Sequence, residues 1–405
     1  MNRKTEPLLS VEAALARVLD SVPPLPAEEV PVGEAHGRVL AAPLAALRTQ
    51  PPADVSSMDG YAARAADLSA PASLKLVGES AAGHAFSGDV KEREAIRIFT
   101  GAILPPGADT VIAQEDAEAE GNTVSLPAAK LGQFVRRRGL DFTEGTTMLE
   151  AGRRLTARDV GLAATMDHAR VRVARRPRVA IIATGDELTP PGTGGDPNRI
   201  VASNPISLAA LLRNENAHVF DLGIVPDKVE AIVAAMRLAR DNADVLITLG
   251  GASVGDHDLI APALKAEGIA LGFHRVALRP GRPLLLGLAG SLRVLGLPGN
   301  PVSSYVCACL FLVPLLRKLQ GRTDFAPALM PAVLGSDMKP NDHRQDYLRA
   351  KITRGADGRL VATPHERQDS SMQALMVESD GLLIRKPNAP AAKAGERCEV
   401  ILFAD

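Results

Sequence analysis

The clearest pattern in the chain is an alternation of apolar runs and amphipathic segments between residues 177 and 320. The run RPRVAIIATGDEL ends in a polar turn and is typical of a buried strand. The segment KVEAIVAAMRLARDNA places Val229, Ile232, Val233 and Met236 on one helical face. Near-continuous apolar strands that alternate with helices predict a parallel sheet covered on both faces. With right-handed crossovers, this segment becomes a doubly wound, three-layer α/β domain.

Outside this segment the pattern predicts further units. A helix is expected over residues 10–20, with Ser10 as its N-cap, and the prolines of SVPPLP end it. Short apolar pieces separated by Pro, Gly and Asp then predict β structure, and alternating strands such as GLLIRK predict a small β domain at the C-terminus. The predicted domains are a discontinuous helical and linking domain of residues 1–26 plus 149–176, a β-rich domain of 27–148, the doubly wound domain of 177–325, and a C-terminal β domain of 326–405.

Composition indicates a soluble globular protein of several domains. The 405 residues are too many for one ordinary core, and 46% apolar with 23% charged residues is typical of globular chains. Because 46 lysines and arginines nearly cancel 47 acidic residues, no overall field attracts nucleic acid or an anionic membrane. Aromatic residues are only 3% and tryptophan is absent, which disfavours base-stacking surfaces. Charge-based recognition must therefore be local.

Targeting segments and cysteines point to the cytoplasm. Charged residues interrupt the N-terminal apolar positions, so no signal peptide is expected. The most apolar stretch, residues 305–316, is shorter than the roughly 18 residues that a membrane span needs. Cys307, Cys309 and Cys398 lack CxxC spacing, which predicts neither a disulfide framework nor a zinc site but buried, unreactive thiols in a reducing compartment.

Three polar loops, TGDEL, TLGGASVGDHD and LPGNP, follow predicted strands of the doubly wound domain. Such sheets bind ligands at the carboxyl ends of their strands, where these loops are expected to lie. In the second loop, Gly250, Gly251 and Gly255 allow backbone N–H groups to approach an anion near a helix N-terminus. Asp256 and Asp258 offer hard oxygen ligands suited to Mg²⁺. A helix N-cap in a tight turn explains this loop equally well.

Further charges stand in motifs outside these loops. The segment RVALRPGRP carries Arg275, Arg279 and Arg282 beside proline and glycine. Motifs of the first half, SSMDGYA, FTGAILPPGADTV and VRRRGLDFTEG, carry the polar residues Asp59, Thr100, Arg136 and Asp141. Each motif alone is more often a solvated surface loop. Three cations beside three loops suited to anions in the same domain nevertheless favour a local anion-binding site.

Seven motifs occur in a fixed order over residues 56 to 301: MDGYA, TGAxLPxGADTV, RRRGxDxxxG, TGDEL, GGxSxGDxD, RPGRP and LPGNP. Together they resemble the molybdopterin molybdenumtransferases, the MoeA family, which is also represented by the C-terminal domain of gephyrin. The resemblance covers the whole chain. It implies a four-domain homodimer that inserts molybdenum from molybdate into adenylylated molybdopterin and releases AMP, with Mg²⁺ assisting. It also implies an active site between the doubly wound domain of one subunit and the second domain of its partner.

The resemblance also assigns roles to individual residues of this chain. The implied catalytic residues are Asp59, Thr100, Asp141, Glu187, Asp227 and Asp258. The implied substrate-binding residues are Arg136, Gly250, Gly251, Ser253, Gly255, Arg275, Arg279, Arg282, Pro298, Asn300, Pro301 and Ser371. The implied metal ligands are Glu187, Asp256 and Asp258. Ser370 is an equal candidate for the C-terminal serine.

This chain departs from the family pattern in two places. The family usually has lysine at the three arginines of RVALRPGRP, and guanidinium binds oxyanions with a different geometry from ammonium. Ala202 stands where an acidic residue is common, which weakens Ser203 and Asn204 as nucleotide contacts. For the proton that molybdate needs to lose oxygen as water, Asp59 or Asp141 is expected to have a raised pKa among other carboxylates.

Two alternative functions stay open. A molybdopterin adenylyltransferase would resemble residues 177–320 alone, and the additional N-terminal motifs argue against it. A gephyrin-like scaffold would bind a receptor peptide, but no receptor-binding linker is visible in the sequence. The expected partners are adenylylated molybdopterin, molybdate, a second copy of the chain, an adenylyltransferase and molybdoenzyme acceptors, with neither nucleic acid nor membrane among them.

Overall fold

The computed structural model describes residues 8–193, 195–250, 259–273 and 275–403. The N-terminal segment contains two helices, α1 (Val11–Leu19) and α2 (Ala157–Thr165). Its strands are β1 (Ala27–Pro31), β2 (Leu44–Ala45), β3 (Val55–Ser56), β4 (Gly60–Ala63), β5 (Ala72–Ser80), β6 (Glu94–Ile98), β7 (Thr110–Ala113), β8 (Glu118–Glu120), β9 (Thr123–Leu126), β10 (Val135–Arg136), β11 (Thr147–Leu149) and β12 (Arg170–Ala174). Six of them form a sheet in the order β7-β4-β6-β5-β9-β8. The β-rich N-terminal part of the predicted fold is confirmed.

The chain segments before and after this sheet join each other. Strand β1 pairs antiparallel with β12, and β2 pairs antiparallel with β11. Helix α2 packs on the core between them, where Leu40, Ala163 and Met166 are buried. A capping box starts α2, because the Thr156 hydroxyl accepts from the Asp159 N–H and the Asp159 carboxylate accepts from the Thr156 N–H.

Helix α1 packs on the α/β segment. Ser10 caps it as expected, accepting a hydrogen bond of 3.1 Å from the N–H of Ala13. Its buried residues Val11, Ala14 and Val18 belong to the core of the α/β segment, whereas Ala163 of α2 belongs to a different core. The union of residues 1–26 with 149–176 in one domain stays a prediction, as does the rest of the division into domains.

The α/β segment follows β12. Its helices are α3 (Asn204–Asn214), α4 (Val229–Asn242), α5 (Ile260–Ala266), α6 (Pro301–Cys307) and α7 (Val313–Leu319), with a π-helical turn between the last two. Its strands are β13 (Arg178–Thr184), β14 (Leu188–Thr189), β15 (Ile200–Val201), β16 (His218–Val225), β17 (Val245–Leu249), β18 (Ala270–Phe273), β19 (Leu278–Arg279), β20 (Leu285–Ala289) and β21 (Leu292–Leu297).

The main sheet of this segment has the order β16-β13-β17-β21-β20-β18. Strands β16, β13, β17 and β21 are parallel, whereas β20 and β18 join antiparallel. Buried residues of α3, α6 and α7 cover one face, and those of α4 and α5 cover the other. The doubly wound, three-layer prediction is confirmed. Because β16 and β17 lie on opposite sides of β13, a crevice forms at the carboxyl ends of β13 and β17.

The helix from α6 to α7, Pro301–Leu319, has the length and apolar composition that a membrane span requires. This helix is longer than the apolar run of residues 305–316 from which no membrane span was expected. In its most apolar window, 78% of the residues are buried inside the protein, including Phe311 and Leu315. This burial is typical of a core helix, and α1 packs against it.

The C-terminal segment is a closed β-barrel. It contains helix α8 (Gln373–Val377) and strands β22 (Met330–Leu334), β23 (Gln345–Arg354), β24 (Leu360–Pro364), β25 (Gly381–Arg385) and β26 (Arg397–Leu402). The strands pair in the ring β23-β24-β22-β26-β25, and β25 pairs back to β23. Strand β19 of the α/β segment adds to the start of β23, with Arg279 opposite Asp346. The small C-terminal β unit is confirmed.

Candidate functional site

A cleft of about 700 Å³ opens at the carboxyl ends of β13, β17 and β21. Glu187 reaches it from the TGDEL loop, Gly250 follows β17, and Arg282 comes from RPGRP. The LPGNP loop adds Pro298, Gly299, Asn300 and Pro301 to its wall. Among the described residues that line the cleft, Glu187 and Arg282 carry the only charges. The structure thus brings the TGDEL and LPGNP loops together with Gly250, which belongs to the described start of the second predicted loop.

Two helices point their N-termini at this cleft. Ser203 precedes α3 and Asn300 precedes α6, and both line the cleft. The Asn204 side-chain amide donates to the Gly299 carbonyl oxygen at 2.6 Å, which ties the two helix starts together. Because unpaired N–H groups and the positive end of the dipole meet at a helix N-terminus, such sites attract anions. Pro205 and Pro301 carry no N–H in these first turns, and the Val302 N–H donates to the Ser370 carbonyl oxygen at 3.2 Å. The helices therefore contribute mainly their dipoles beside the charge of Arg282.

Gly250 is required by the close approach of two strand ends. Its φ is +88°, and a Cβ built on it would lie 2.5 Å from the carbonyl oxygen of Thr184, the last residue of β13. Only glycine fits this position without moving backbone. The neighbouring predicted residues Gly251, Ser253, Gly255, Asp256 and Asp258 lie outside the described residues.

The C-terminal segment adds two serines to the site, with different roles. Ser371 lines the cleft, and its hydroxyl donates to the Asp369 carboxylate at 2.7 Å. Ser370 accepts a hydrogen bond of 2.8 Å from the Asn300 side-chain amide. Ser371 therefore lines the cleft, whereas Ser370 fastens the LPGNP loop through Asn300.

Arg349 fixes this serine segment and was missed by the sequence reasoning. Its guanidinium is only 1% exposed and donates to the carbonyl oxygens of Met372, at 3.0 Å, and Asp369, at 2.8 Å. Burial lowers its pKa, and the nearby Asp369 carboxylate opposes that effect. The signal in the sequence was an arginine inside the apolar strand YLRAKI, where a buried charge is unusual.

The predicted cationic residues separate in space. Arg282 lines the cleft, whereas Arg275 and Arg279 are not among the described residues that line it. Arg279 contacts Asp346 and lies 3.3 Å from the Asp342 carboxylate, both in the C-terminal segment. The pairing of β19 with β23 sets this contact by placing Arg279 opposite Asp346. Burial raises the pKa of Asp346, and the Arg279 charge only partly offsets it.

Two further carboxylates lie at the loop that carries Glu187. The N–H of Asp186 donates to the Asp227 carboxylate at 3.2 Å, and the N–H of Asp227 donates to the Asp186 carboxylate at 3.2 Å. This exchange holds Asp227 beside the loop that carries Glu187. Within the ranges that the structure describes, no group of three His, Cys, Asp or Glu residues is placed to hold a metal. Glu187 nevertheless offers the hard oxygen donors that Mg²⁺ prefers.

The predicted residues of the first half lie at a second place. A cleft of about 530 Å³ in the β-rich unit is lined by Arg136, Asp141 and Gly101, among others. Next to it, the Asp59 carboxylate accepts hydrogen bonds of 2.7 Å from both the N–H and the hydroxyl of Thr100.

Two donors of Thr100 lower the pKa of Asp59. The hydrogen bonds from the Thr100 N–H and hydroxyl hold the pKa of Asp59 below its ordinary value of 3.8. Within one chain the expectation of a raised pKa at Asp59 is therefore wrong, because this carboxylate meets two donors there and not other carboxylates. These contacts favour an ionised Asp59 that accepts hydrogen bonds over an Asp59 that donates a proton.

The two clefts share no described lining residue within one chain. One holds Glu187, Arg282 and Gly250, and the other holds Arg136 and Asp141 beside the pair of Asp59 and Thr100. The resemblance implied an active site that combines two such half-sites across two subunits. That arrangement stays a prediction.

Three family models match the chain in order. The MoeA N-terminal region, domains I and II, matches residues 9–166, a probable molybdopterin binding domain matches 180–318, and the MoeA C-terminal region, domain IV, matches 331–403. These matches confirm the family resemblance that the seven motifs indicated.

Relatives and solved structures extend over nearly the whole chain. The molybdopterin molybdenumtransferase of Haemophilus influenzae is 32% identical over 98% of this chain and 99% of its own length. That of Nostoc sp. is 35% identical over 84% of this chain and 82% of its own length. Two crystal structures of the molybdopterin biosynthesis MoeA protein from Pyrococcus horikoshii are 30% and 26% identical, with TM-scores of 0.85 and 0.84. Each covers 98% of this chain and 100% of the solved chain.

Proposed function

The chain belongs to the MoeA family, and we propose that it is a molybdopterin molybdenumtransferase. In this proposal it inserts molybdenum from molybdate into adenylylated molybdopterin and releases AMP. One observation carries it: two helix N-termini, Gly250 and Arg282 meet in a single cleft at the carboxyl ends of the parallel strands. A cleft of this kind suits the phosphate groups that join the pterin to AMP.

The residues of this cleft bind and orient the anionic substrate. Arg282 supplies the fixed positive charge, and its planar guanidinium can donate two parallel hydrogen bonds to a phosphate or molybdate oxyanion. The positive ends of the α3 and α6 dipoles need no reorganisation, and they favour charge developing on the departing AMP. Ser371 and Asn300 stand at the same wall and are held in place by Asp369 and Ser370.

Proton transfer falls to residues other than Asp59. Molybdenum exchanges oxygen for the two dithiolene sulfurs, and the departing oxygen leaves as water after taking up protons. Ionised Asp59 orients the Thr100 hydroxyl at 2.7 Å. Asp141, which lines the neighbouring cleft, is the remaining proposed proton donor.

Magnesium is the proposed cofactor. Glu187, together with Asp256 and Asp258, would hold it, and bound Mg²⁺ would supply charge neutralisation at the phosphate oxygens. The fit rests on the donor chemistry, since Glu187 presents its carboxylate to the cleft in which the anionic substrate is proposed to bind.

We further propose a cytoplasmic homodimer whose two active sites each combine residues of both subunits. The support is the separation of the two predicted half-sites within one chain. An adenylyltransferase that supplies the substrate and molybdoenzymes that receive the product are the proposed protein partners.

The activity is tested by incubating purified protein with adenylylated molybdopterin and measuring AMP with and without molybdate. We expect AMP release only with molybdate. In the alternatives, an adenylyltransferase would instead consume ATP and form pyrophosphate with molybdopterin, and a scaffold would turn over neither substrate. Either result would overturn the proposal.

Mixing two impaired variants tests the shared site. Asp59→Asn and Arg282→Ala lie in different half-sites, so a mixed dimer would rebuild one intact site. After unfolding and refolding together, and at substrate below the wild-type KM where both variants are slow, random pairing is expected to restore up to about a quarter of the wild-type activity. If the mixture is no faster than the average of the two variants while mixed dimers are present, the two half-sites do not meet across subunits.

A further inference from the structure

The C-terminal barrel carries a cleft of about 880 Å³ that is separate from the two clefts of the proposed active site. It lies across β22, β24, β25 and β26 and shares no described lining residue with those sites. We propose that this basic cleft binds a segment of a partner protein that carries both acidic and apolar side chains.

Positive charge dominates the basic cleft. Of the described residues that line it, five are cations and one, Glu399, is a carboxylate; the cations are Arg354, Arg359, Arg385, Lys386 and Arg397. The whole chain has a formal net charge of −1, so this local excess is not a reflection of overall composition. Such a concentration of one sign in a concave surface attracts and orients an oppositely charged partner.

Most of these charges are not neutralised within the protein. Lys386 lies 3.4 Å from the Glu399 carboxylate, and Arg359 pairs with Asp357. Arg354 donates only to the carbonyl oxygen of Gly358, at 3.2 Å. The exposed Arg397 guanidinium has neither an ion pair nor a hydrogen bond with the part of the chain that the structure describes. Charge is therefore left over for a ligand.

The charge at Arg385 is also uncompensated by a carboxylate. Its guanidinium donates to the carbonyl oxygens of Lys339, at 3.3 Å, and Pro390. Its Nε atom is buried and has no hydrogen-bond partner among the described residues. The positive charge of Arg385 is therefore not cancelled by a carboxylate of the described residues.

The remaining lining is apolar, which decides the class of ligand. It consists of Met330, Pro331, Ala332, Val333, Leu360, Ile384 and Ala389, with Cys398. Met330 is 39% exposed, and the adjoining Leu329 is 51% exposed. A polyphosphate ligand would leave these apolar side chains exposed to water. Nucleic acid would lack aromatic rings to stack on, since none of the described residues that line the cleft is aromatic. A peptide with interleaved acidic and apolar side chains can pair with the cations of the basic cleft and also cover its apolar residues.

The test uses fluorescently labelled peptides on the full-length protein, with binding followed by anisotropy at low and high salt. One peptide interleaves glutamate and leucine, and a second replaces its leucines by serine. Inorganic tripolyphosphate and vesicles of mixed phosphatidylcholine and phosphatidylserine serve as competing anionic probes. We expect the first peptide to bind at low salt, the serine peptide to bind more weakly, and high salt to weaken both.

Two double variants locate the binding. Arg354→Glu with Arg397→Glu reverses two charges of the basic cleft and is expected to weaken peptide binding about tenfold or more. Arg158→Glu with Lys265→Glu makes the same change in net charge at exposed cations outside it and should leave binding unchanged. Molybdate-dependent AMP release should persist in both, because neither pair lines the proposed active site.

Several results would overturn this assignment. Absence of peptide binding, an equal loss of peptide affinity in the two double variants, or equally strong binding of the leucine and serine peptides would each be sufficient. Displacement of the peptide by tripolyphosphate at low concentration would show a site for small anions, and binding of the vesicles through Arg354 and Arg397 would show a membrane surface. A failure here leaves AMP release untouched, so it is distinguishable from failure of the proposed enzyme activity.

Discussion

Replacing Gly250 by alanine tests whether the substrate cleft depends on the close approach of two strand ends. The added Cβ would lie 2.5 Å from the Thr184 carbonyl oxygen, between the ends of β13 and β17. Gly268, just after α5, provides a matched control. It also has a positive φ, +66°, but no atom lies within 4 Å of its corresponding Cβ. Gly268→Ala therefore introduces backbone strain without a collision.

The expected magnitudes follow from these two sites. A left-handed alanine costs about 1–2 kcal/mol in either variant. At Gly250 the colliding atom belongs to the backbone, so relief requires movement of a strand end, which adds about 1–3 kcal/mol. We expect kcat/KM for AMP release to fall by about tenfold or more in Gly250→Ala, equivalent to about 1.4 kcal/mol. Gly268→Ala should stay within about twofold of wild type.

The assay combines thermal unfolding with molybdate-dependent AMP release for the wild type and both variants. A difference of 1 kcal/mol corresponds to about 2–4 °C in domains of 150–250 residues, so the collision should be visible as a lower melting temperature of Gly250→Ala. If the two variants melt together and turn over equally, the strand ends do not set the cleft geometry, and the reasoning is refuted.

Three further predictions concern charge and thiol chemistry. Hydrogen bonds from Thr100 lower the pKa of Asp59. The contribution of this carboxylate to folding stability is therefore present above its unfolded pKa and is lost as the pH falls through its folded pKa. Asp59→Asn should reduce kcat without moving the pH profile of kcat above about pH 5, and a shifted profile would contradict an ionised Asp59. Arg282→Ala should raise KM about tenfold with an unchanged melting temperature. Arg279→Ala should lower the melting temperature, because the lost contact with Asp346 lowers the free energy of unfolding by about 1–2 kcal/mol. An exchange of these two effects would refute the separation of the two arginines. Burial raises the pKa of Cys398 to about 11, so the native protein should react slowly with a thiol reagent at pH 8 and rapidly once unfolded.

Sequence periodicity was sufficient to predict the strands and helices of the α/β segment and their arrangement in three layers. Apolar runs such as VAIIAT and VLITL specify strands buried on both faces, and a sheet of such strands must be covered by helices on each side. The same logic placed the three polar loops at one sheet edge, because carboxyl ends of parallel strands coincide. The order of seven motifs was enough to identify the family. These features are local in the chain or follow from the regular geometry of a parallel sheet.

Only the tertiary structure decided which side chains meet. Helix α1 carries an apolar stripe, but a stripe does not name the surface that it will cover, and here it covers the helix Pro301–Leu319. Arg279 and Arg282 stand three residues apart, yet pairing of β19 with β23 turns one toward Asp346 and leaves the other in the cleft. The pKa of Asp59 depends on two donors of Thr100, 41 residues away along the chain. Such contacts depend on strand register and on packing between segments that are distant along the chain. Composition and motif spacing do not specify either of these, so the contacts become visible only in the folded protein.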